Sequence, residues 1–222
     1  MTDAAPSFDA TSADITAEDL AAKLAARLCH DFMSPASGIV SGLDLLEDPS
    51  AKDMRDEAMA LIASSARKLV DQLTFARVAF GSYASADVFD SRELENLAHG
   101  VFAHVRPALQ WDVPASQLSK PAARALLNLV QIAAGALAVG GTARAAVDKD
   151  DGRTVVTVEA AGPRARLQDE IVAGLAGRGP GEGLSGRWVQ AYYLHALVAA
   201  AGGRVSAEAT DEKVTFRAIL PA

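Results

Sequence analysis

The sequence predicts the fold class α + α/β: a long helical hairpin followed by a two-layer α/β sandwich. Apolar residues recur every three or four positions through residues 16–80, which is typical of amphipathic helices. A turn motif containing Pro49 interrupts that pattern. Beyond residue 87, short helix and strand patterns alternate. Half of the 222 residues are hydrophobic, enough for the core of one medium or two small domains.

The first helix follows a polar leader. Residues 1–14 are rich in Ala, Ser, Asp and Thr, and we expect them to be disordered. Thr16 with Asp19 resembles a capping box, so the helix begins there and runs to about Leu46. Its apolar stripe comprises Leu20, Leu24, Leu28, Phe32, Ile39, Leu43 and Leu46.

The second helix is predicted over about residues 53–80, with Gly81 as its C-terminal cap. Its apolar face comprises Met54, Ala58, Leu61, Ile62, Leu69, Leu73, Ala76 and Phe80. The two helices form a hairpin over residues 15–81. The apolar stripe of this hairpin must be buried against another surface. We favour an identical hairpin, which would make a homodimer through a four-helix bundle. The alternative is burial against the second half of the same chain.

The second half, residues 87–222, is predicted to be the sandwich. Helices are predicted at Ser91–His104, Lys120–Val139, Leu167–Ala176 and Gly186–Ala201. Strands are predicted at Ala108–Val113, Ala143–Asp148, Thr154–Ala160, Arg204–Glu208 and Val214–Leu220. The residues Lys149–Gly152 form a hairpin turn between two of these strands.

Composition excludes several function classes. The net charge of −7 argues against general binding to nucleic acid or anionic membranes. The acidic N-terminus has no signal-peptide pattern, and the longest apolar run, Val189–Ala201, is too short to span a bilayer. The lone Cys29 excludes an internal disulfide, and we expect it to pack as a small apolar residue. We expect a cytoplasmic protein.

One histidine stands on the polar side of the first helix. His30 follows Leu28 by two residues, so it points about 200° away from the apolar stripe. Pro35 removes the amide that would bond to the carbonyl of Asp31, which predicts a bend just after His30. A surface histidine is usually only a solvated side chain. The neighbouring acid and the proline favour phosphoryl acceptance instead.

The segment HDFMSP at residues 30–35 resembles the H-box of histidine kinases, His-Asp/Glu-x-x-Ser/Thr-Pro. In those proteins a dimerising helical hairpin precedes an ATP-binding α/β sandwich, the order predicted here from residue 14 onward. The resemblance implies that His30 is the phosphoacceptor. It also implies that Asp31 is the acidic neighbour, Ser34 the polar helper and Pro35 the bend.

The second half departs from the kinase motifs that bind ATP. In the segment Asn128–Ala133, Ile132 stands where kinases have a metal-holding asparagine, and an alkyl chain cannot ligate Mg²⁺. Ala160 replaces the adenine-binding aspartate, and Arg164 replaces a motif glycine. A glycine-rich loop survives only as residues 179–184. We interpret this half as a kinase-like domain that has lost its nucleotide site.

An intact H-box beside a degenerate ATP site resembles the ChpT family of histidine phosphotransferases. The resemblance implies transfer from the receiver domain of a hybrid histidine kinase to receiver domains of response regulators, in alphaproteobacterial cell-cycle control. It also implies no cofactor or metal of the chain's own, since the receiver holds Mg²⁺. The expected partner-binding residues are Lys23, Arg27, Met33 and Ser37.

Two alternatives remain open, an ATP-dependent histidine kinase with a divergent site and a non-catalytic scaffold that binds receivers. The absence of Asp at 160 and of Asn at 132 argues against the kinase, and the exposed His-Asp pair argues against the scaffold. No chemistry is assigned to the three other histidines, His99, His104 and His195.

Overall fold

The computed structural model describes residues 15–81, 87–179 and 186–221. The predicted disorder of residues 1–14 and most of the glycine-rich loop at 179–184 lie outside the described residues. The hairpin consists of α1 (Ala17–Glu47) and α2 (Arg55–Ala79), joined through a short 3₁₀ helix (Lys52–Met54). Thr16 caps α1 as predicted, because its hydroxyl accepts a hydrogen bond from the Asp19 amide at 3.1 Å.

Small residues bring the two hairpin helices close together. A Cβ atom on Gly42 would lie 2.5 Å from Cγ1 of Ile62, and one on Gly38 would overlap the side chain of Ser65. Since no larger residue fits at these positions, α1 packs directly against the surface of α2. Pro35 lies inside α1 and is buried.

The sandwich contains β1 (Val88–Asp90), α3 (Ser91–Phe102), β2 (Ala108–Asp112), β3 (Gln117–Ser119), α4 (Lys120–Ala136), β4 (Thr142–Asp150), β5 (Arg153–Ala161), α5 (Asp169–Leu175), α6 (Gly186–Ala200), β6 (Arg204–Thr210) and β7 (Lys213–Pro221). All five predicted strands and all four predicted helices are confirmed, with ends shifted by three residues or fewer. The fold class α + α/β is therefore confirmed.

The main sheet has the strand order β2-β4-β5-β7-β6. Strands β2 and β4 are parallel, and the other neighbours are antiparallel. The predicted turn joins β4 to β5 through Asp151 and Gly152, whose φ angles of 44° and 69° match the turn type that suits a tight hairpin. A second, two-stranded sheet of β1 and β3 was not predicted, because three-residue strands are too short to show alternation.

The core lies between the main sheet and the helices. Helix α4 is buried over most of its length and contributes Leu126, Leu127 and Leu129, all fully buried. Phe75 and Ala79 of α2 belong to the same core. The C-terminal part of the hairpin is therefore buried against the second half of the chain, which the sequence had offered only as an alternative to dimerisation.

The junction between the two halves is fixed by specific contacts. The ring of Phe80 packs on Tyr193 of α6, with centroids 5.4 Å apart. Arg124 of α4 donates hydrogen bonds to the carbonyl groups of Phe80 and Gly81, just beyond the end of α2. On α1, Cys29 is exposed, so the expectation that it packs as an apolar residue is wrong.

Candidate functional site

His30 projects from α1 into solvent, with 89% of its side chain exposed. Leu28 and Phe32, on either side of it in sequence, are partly buried on the opposite side of the helix. The periodicity therefore predicted the exposure of the imidazole correctly. An incoming reactive group can approach this ring without any rearrangement of the hairpin.

Asp31 lies beside the Nδ1 side of the ring. Its Oδ1 atom is 3.6 Å from Nδ1 of His30, too far for a direct hydrogen bond but within the span of a bridging water. A carboxylate on this side favours a proton on Nδ1. The Nε2 atom then carries the free lone pair and is the nitrogen available to a phosphorus atom.

Arg27 does not lie in solvent, and this corrects the expectation that it offers a free basic contact to partners. Only 15% of the Arg27 side chain is exposed, and its Nε lies 3.5 Å from Oδ2 of Asp31. The guanidinium also donates a hydrogen bond from Nη1 to the Gly186 carbonyl at the start of α6. Burial lowers the pKa of the Arg27 guanidinium, the Asp31 carboxylate opposes that shift, and the nearby Arg187 adds to it. Arg27 therefore connects the phosphoacceptor helix to the second half from within.

The other predicted site residues lie around His30 on the accessible side of α1. Met33 is 61% exposed, a high value for an apolar side chain, and Ser34 and Ser37 are also exposed. Lys23 is half-buried, two turns before His30. Within the part of the chain that the structure describes, Ser34 and His30 share no hydrogen bond. A helper role for Ser34 therefore stays a prediction.

The positions that bind nucleotide in kinases are filled with packed side chains. Ala160 is fully buried and Ile132 nearly so, both within the core. A cavity of about 80 Å³ remains next to Ile132, partly lined by Phe216. Ligand pockets of drug-like size are typically ~300 Å³ or larger, so this cavity among the described residues is small for a nucleotide.

Asn128, the first asparagine of the kinase-like segment, has a structural role here. It is fully buried, and its amide nitrogen donates to the carbonyl groups of Ala79 and Arg124 at 3.1 and 2.9 Å. Its Oδ1 accepts a hydrogen bond at 3.1 Å from Gln190, which also donates to Gln131 at 2.7 Å. This network joins α2, α4 and α6. A polar interruption of an apolar run, such as Gln190, was the signal that could have revealed it.

Among the remaining histidines, His104 has a partner that the sequence did not suggest. Its Nε2 lies 2.8 Å from Oδ2 of Asp71 and thus links the end of α3 to α2. His195 bonds through Nδ1 to the Leu175 carbonyl at 2.9 Å. His99 is exposed, with Glu95 at 3.9 Å. His104 and His195 therefore have structural contacts, whereas His99, like His30, is exposed beside an acid but lies outside the segment that resembles the H-box.

The comparisons with known proteins agree with this geometry. Residues 91–213 match the family model described as the histidine phosphotransferase C-terminal domain. The chain is 37% identical over 207 residues to the protein phosphotransferase ChpT of Brucella abortus (strain 2308), covering 92% of this chain and 97% of that protein. The chain belongs to the ChpT family of histidine phosphotransferases. Like its family, it is a protein phosphotransferase of a phosphorelay.

A solved structure supports the same assignment. A bacterial phosphotransferase determined at 1.7 Å superposes on this phosphotransferase with a TM-score of 0.83 and 33% identity, covering 93% of this chain and 98% of that one. Both halves of the molecule are therefore shared with that structure. Within the described residues, no helix combines the length and apolar character needed to cross a bilayer.

Proposed function

We propose that His30 accepts a phosphoryl group from the receiver domain of a hybrid histidine kinase and passes it to receiver domains of response regulators. The observation that carries this proposal is the exposed imidazole of His30, with a carboxylate 3.6 Å from Nδ1. The recognised family and its phosphorelay activity support it. We also propose that this exchange takes place in the cytoplasm and serves cell-cycle control.

The transfer itself needs little from this chain beyond position and charge. Nε2 of His30 attacks the phosphorus of a receiver aspartyl phosphate in line, so a P–N bond forms as the P–O bond to the receiver breaks. The receiver carboxylate is the leaving group, and the imidazole ring gains positive charge while Nδ1 keeps its proton. The negative Asp31 stabilises that charge. The reverse sequence delivers the group to the next receiver.

We also propose that the protein acts as a homodimer. One side of the hairpin is an open apolar groove of about 580 Å³, and the described residues that line it all belong to the hairpin. It is lined mainly by Ala21, Leu24, Leu28 and Phe32 of α1 with Leu73, Ala76 and Phe80 of α2. A second hairpin laid into this groove would complete a four-helix bundle and leave both His30 side chains in solvent.

The proposed receiver-binding surface surrounds His30. Met33 supplies exposed apolar area one turn away, and Ser37 continues the same accessible side. Lys23 adds positive charge that complements an acidic receiver pocket. Arg27 is not part of this contact surface, because its guanidinium faces Gly186 and Asp31. Its role is to hold α1 against α6 beneath the docked receiver.

The experiment that tests the function compares two phosphoryl donors. Wild-type protein is incubated with radiolabelled ATP alone and, separately, with a purified receiver domain carrying labelled aspartyl phosphate. We expect labelling only by the receiver. The variant His30→Gln should lose at least about 99% of this labelling, while His99→Gln, which alters another exposed histidine beside an acid, should keep it.

Retained labelling of His30→Gln would refute the proposal. Labelling of the wild type by ATP alone would instead assign the protein to the kinases. Because an exposed side chain contributes little to stability, circular dichroism and thermal unfolding of His30→Gln should match the wild type.

A further inference from the structure

A small cavity between α1 and the second half has an unusual lining. Its volume is about 80 Å³, and it lies one helical turn from His30, where Arg27 meets α4 and α6. Its polar lining is Arg27, Arg166, Arg187, Gln131, Gln168 and Gln190. Among the described residues that line it there is no aspartate or glutamate.

Three arginines line this one cavity, although the chain as a whole has a net charge of −7. Asp31 lies 3.5 Å from Arg27 but does not line the cavity, and Arg187 is close enough to act on Arg27 as a like charge. Neighbouring positive charges attract an anion, and solvent screens the exposed side chains of Arg166 and Arg187 more than the mostly buried Arg27. The cavity therefore has positive charge in excess.

The polar side chains at the cavity are held by their neighbours, and Nε of Arg27 has only a distant partner. Nε of Arg27 is buried and pairs with Oδ2 of Asp31 at 3.5 Å, a distance too long for a strong hydrogen bond. Gln190, which is 2% exposed, is held by Asn128 and Gln131, so the amide side of the cavity is rigid. Arg187 is braced by a 2.7 Å hydrogen bond to Gln168.

We propose that this cavity is a binding site for a small phosphate-class oxyanion, held by Arg27, Arg166 and Arg187. Guanidinium groups match the geometry of tetrahedral oxyanions and bind them through paired, charge-assisted hydrogen bonds. The cavity has room for a few waters or for one such ion. It is too small for an adenosine moiety, so the ligand is the free ion rather than a nucleotide.

Binding there would couple the two halves of the molecule. Arg27 lies on α1, Arg187 on α6 and Arg166 on the segment that precedes α5, so one ion would contact three separate segments. A ligand that binds only the folded state raises the unfolding temperature, and the gain in stability equals RT ln(1 + [L]/Kd). The site goes beyond phosphotransfer at His30 and can be tested without any receiver.

The test uses the full chain and inorganic phosphate, with ionic strength held constant by replacing chloride. Calorimetry and thermal unfolding should show saturable binding to the wild type, with Kd of about 1 mM or tighter. Arg187→Gln and Arg166→Gln, which alter exposed arginines, should each weaken binding at least about tenfold. Arg217→Gln removes the same charge from an exposed position on β7, away from the cavity, and should leave Kd unchanged.

Replacing inorganic phosphate with AMP tests whether the cavity binds the free ion or the phosphate group of a nucleotide. We expect AMP to bind at least about tenfold more weakly than inorganic phosphate, because the adenosine does not fit. The proposal would be overturned if phosphate showed no saturable binding to the wild type. It would also be overturned if Arg217→Gln lost as much phosphate affinity as Arg187→Gln and Arg166→Gln. If phosphate does not bind but Arg187→Gln weakens the affinity for a receiver domain, the arginines are a protein-docking surface and the proposal is wrong.

Discussion

Replacing Asn128 with alanine tests whether this residue of the degenerate site has been retained for structure. Asn128 makes three hydrogen bonds, to the carbonyl groups of Ala79 and Arg124 and from the amide of Gln190. A buried neutral hydrogen bond contributes a net of about 1 kcal/mol to the free energy of unfolding. The sum for Asn128→Ala is about 3 kcal/mol.

Two neighbours limit the additional cost of unsatisfied groups. The Ala79 carbonyl keeps a long hydrogen bond from the hydroxyl of Tyr193 at 3.3 Å, and Gln190 keeps its bond to Gln131. We therefore expect the free energy of unfolding to fall by about 2–3 kcal/mol, which is less than if every buried partner group were left without a hydrogen bond. Gln131→Ala, which removes one bond from a half-buried side chain, should cost about 1 kcal/mol and serves as the matched control.

The assay is equilibrium unfolding in urea, with wild type and variants at one protein concentration, because a dimer's apparent stability depends on concentration. We expect a lower midpoint with an unchanged slope. A loss below about 0.5 kcal/mol for Asn128→Ala would refute it, since that is less than one net hydrogen bond. A loss no larger than that of Gln131→Ala would show that the network is not centred on Asn128.

Three further predictions concern the transfer site, the dimer and the degenerate domain. Asp31→Asn should slow phosphoryl acceptance about tenfold without abolishing it, because a charge 3.6 Å from the ring is lost. Single-turnover kinetics measure this rate, and an unchanged rate would contradict the prediction. The control is Asp44→Asn, which alters an exposed acid on the same helix. Light scattering at micromolar concentration should give twice the chain mass of 23.0 kDa for the wild type. Leu28→Asp in the groove should give the monomer, whereas Val172→Asp on α5 should not, and a monomeric wild type would rule out the dimer. Titration with Mg-ATP should show no binding up to about 1 mM. A Kd in the low micromolar range would show that the protein binds nucleotide and would contradict the prediction.

The sequence predicted the parts of this protein that depend on local patterns. The spacing of Leu28 and Phe32 fixed the buried side of α1 and hence the exposure of His30, because a helix converts sequence spacing directly into direction. The turn at Asp151 and Gly152 was equally local, since few residues adopt positive φ without strain. The chemistry of Ile132 and Ala160 alone predicted the loss of the nucleotide site, and that prediction is tested by the titration with Mg-ATP.

Other features depended on contacts between distant segments, which periodicity does not encode. Arg27 was expected to contact partners, but it bonds within the molecule to the Gly186 carbonyl, which lies 159 positions away in the chain. The cluster of Arg27, Arg166 and Arg187 likewise exists only because the hairpin packs against α6. Cys29 was expected to be buried on general propensity, but its position on the accessible side of α1 leaves it exposed. Helical geometry is set within a few residues, whereas burial and charge pairing across the junction arise only when the two halves pack together.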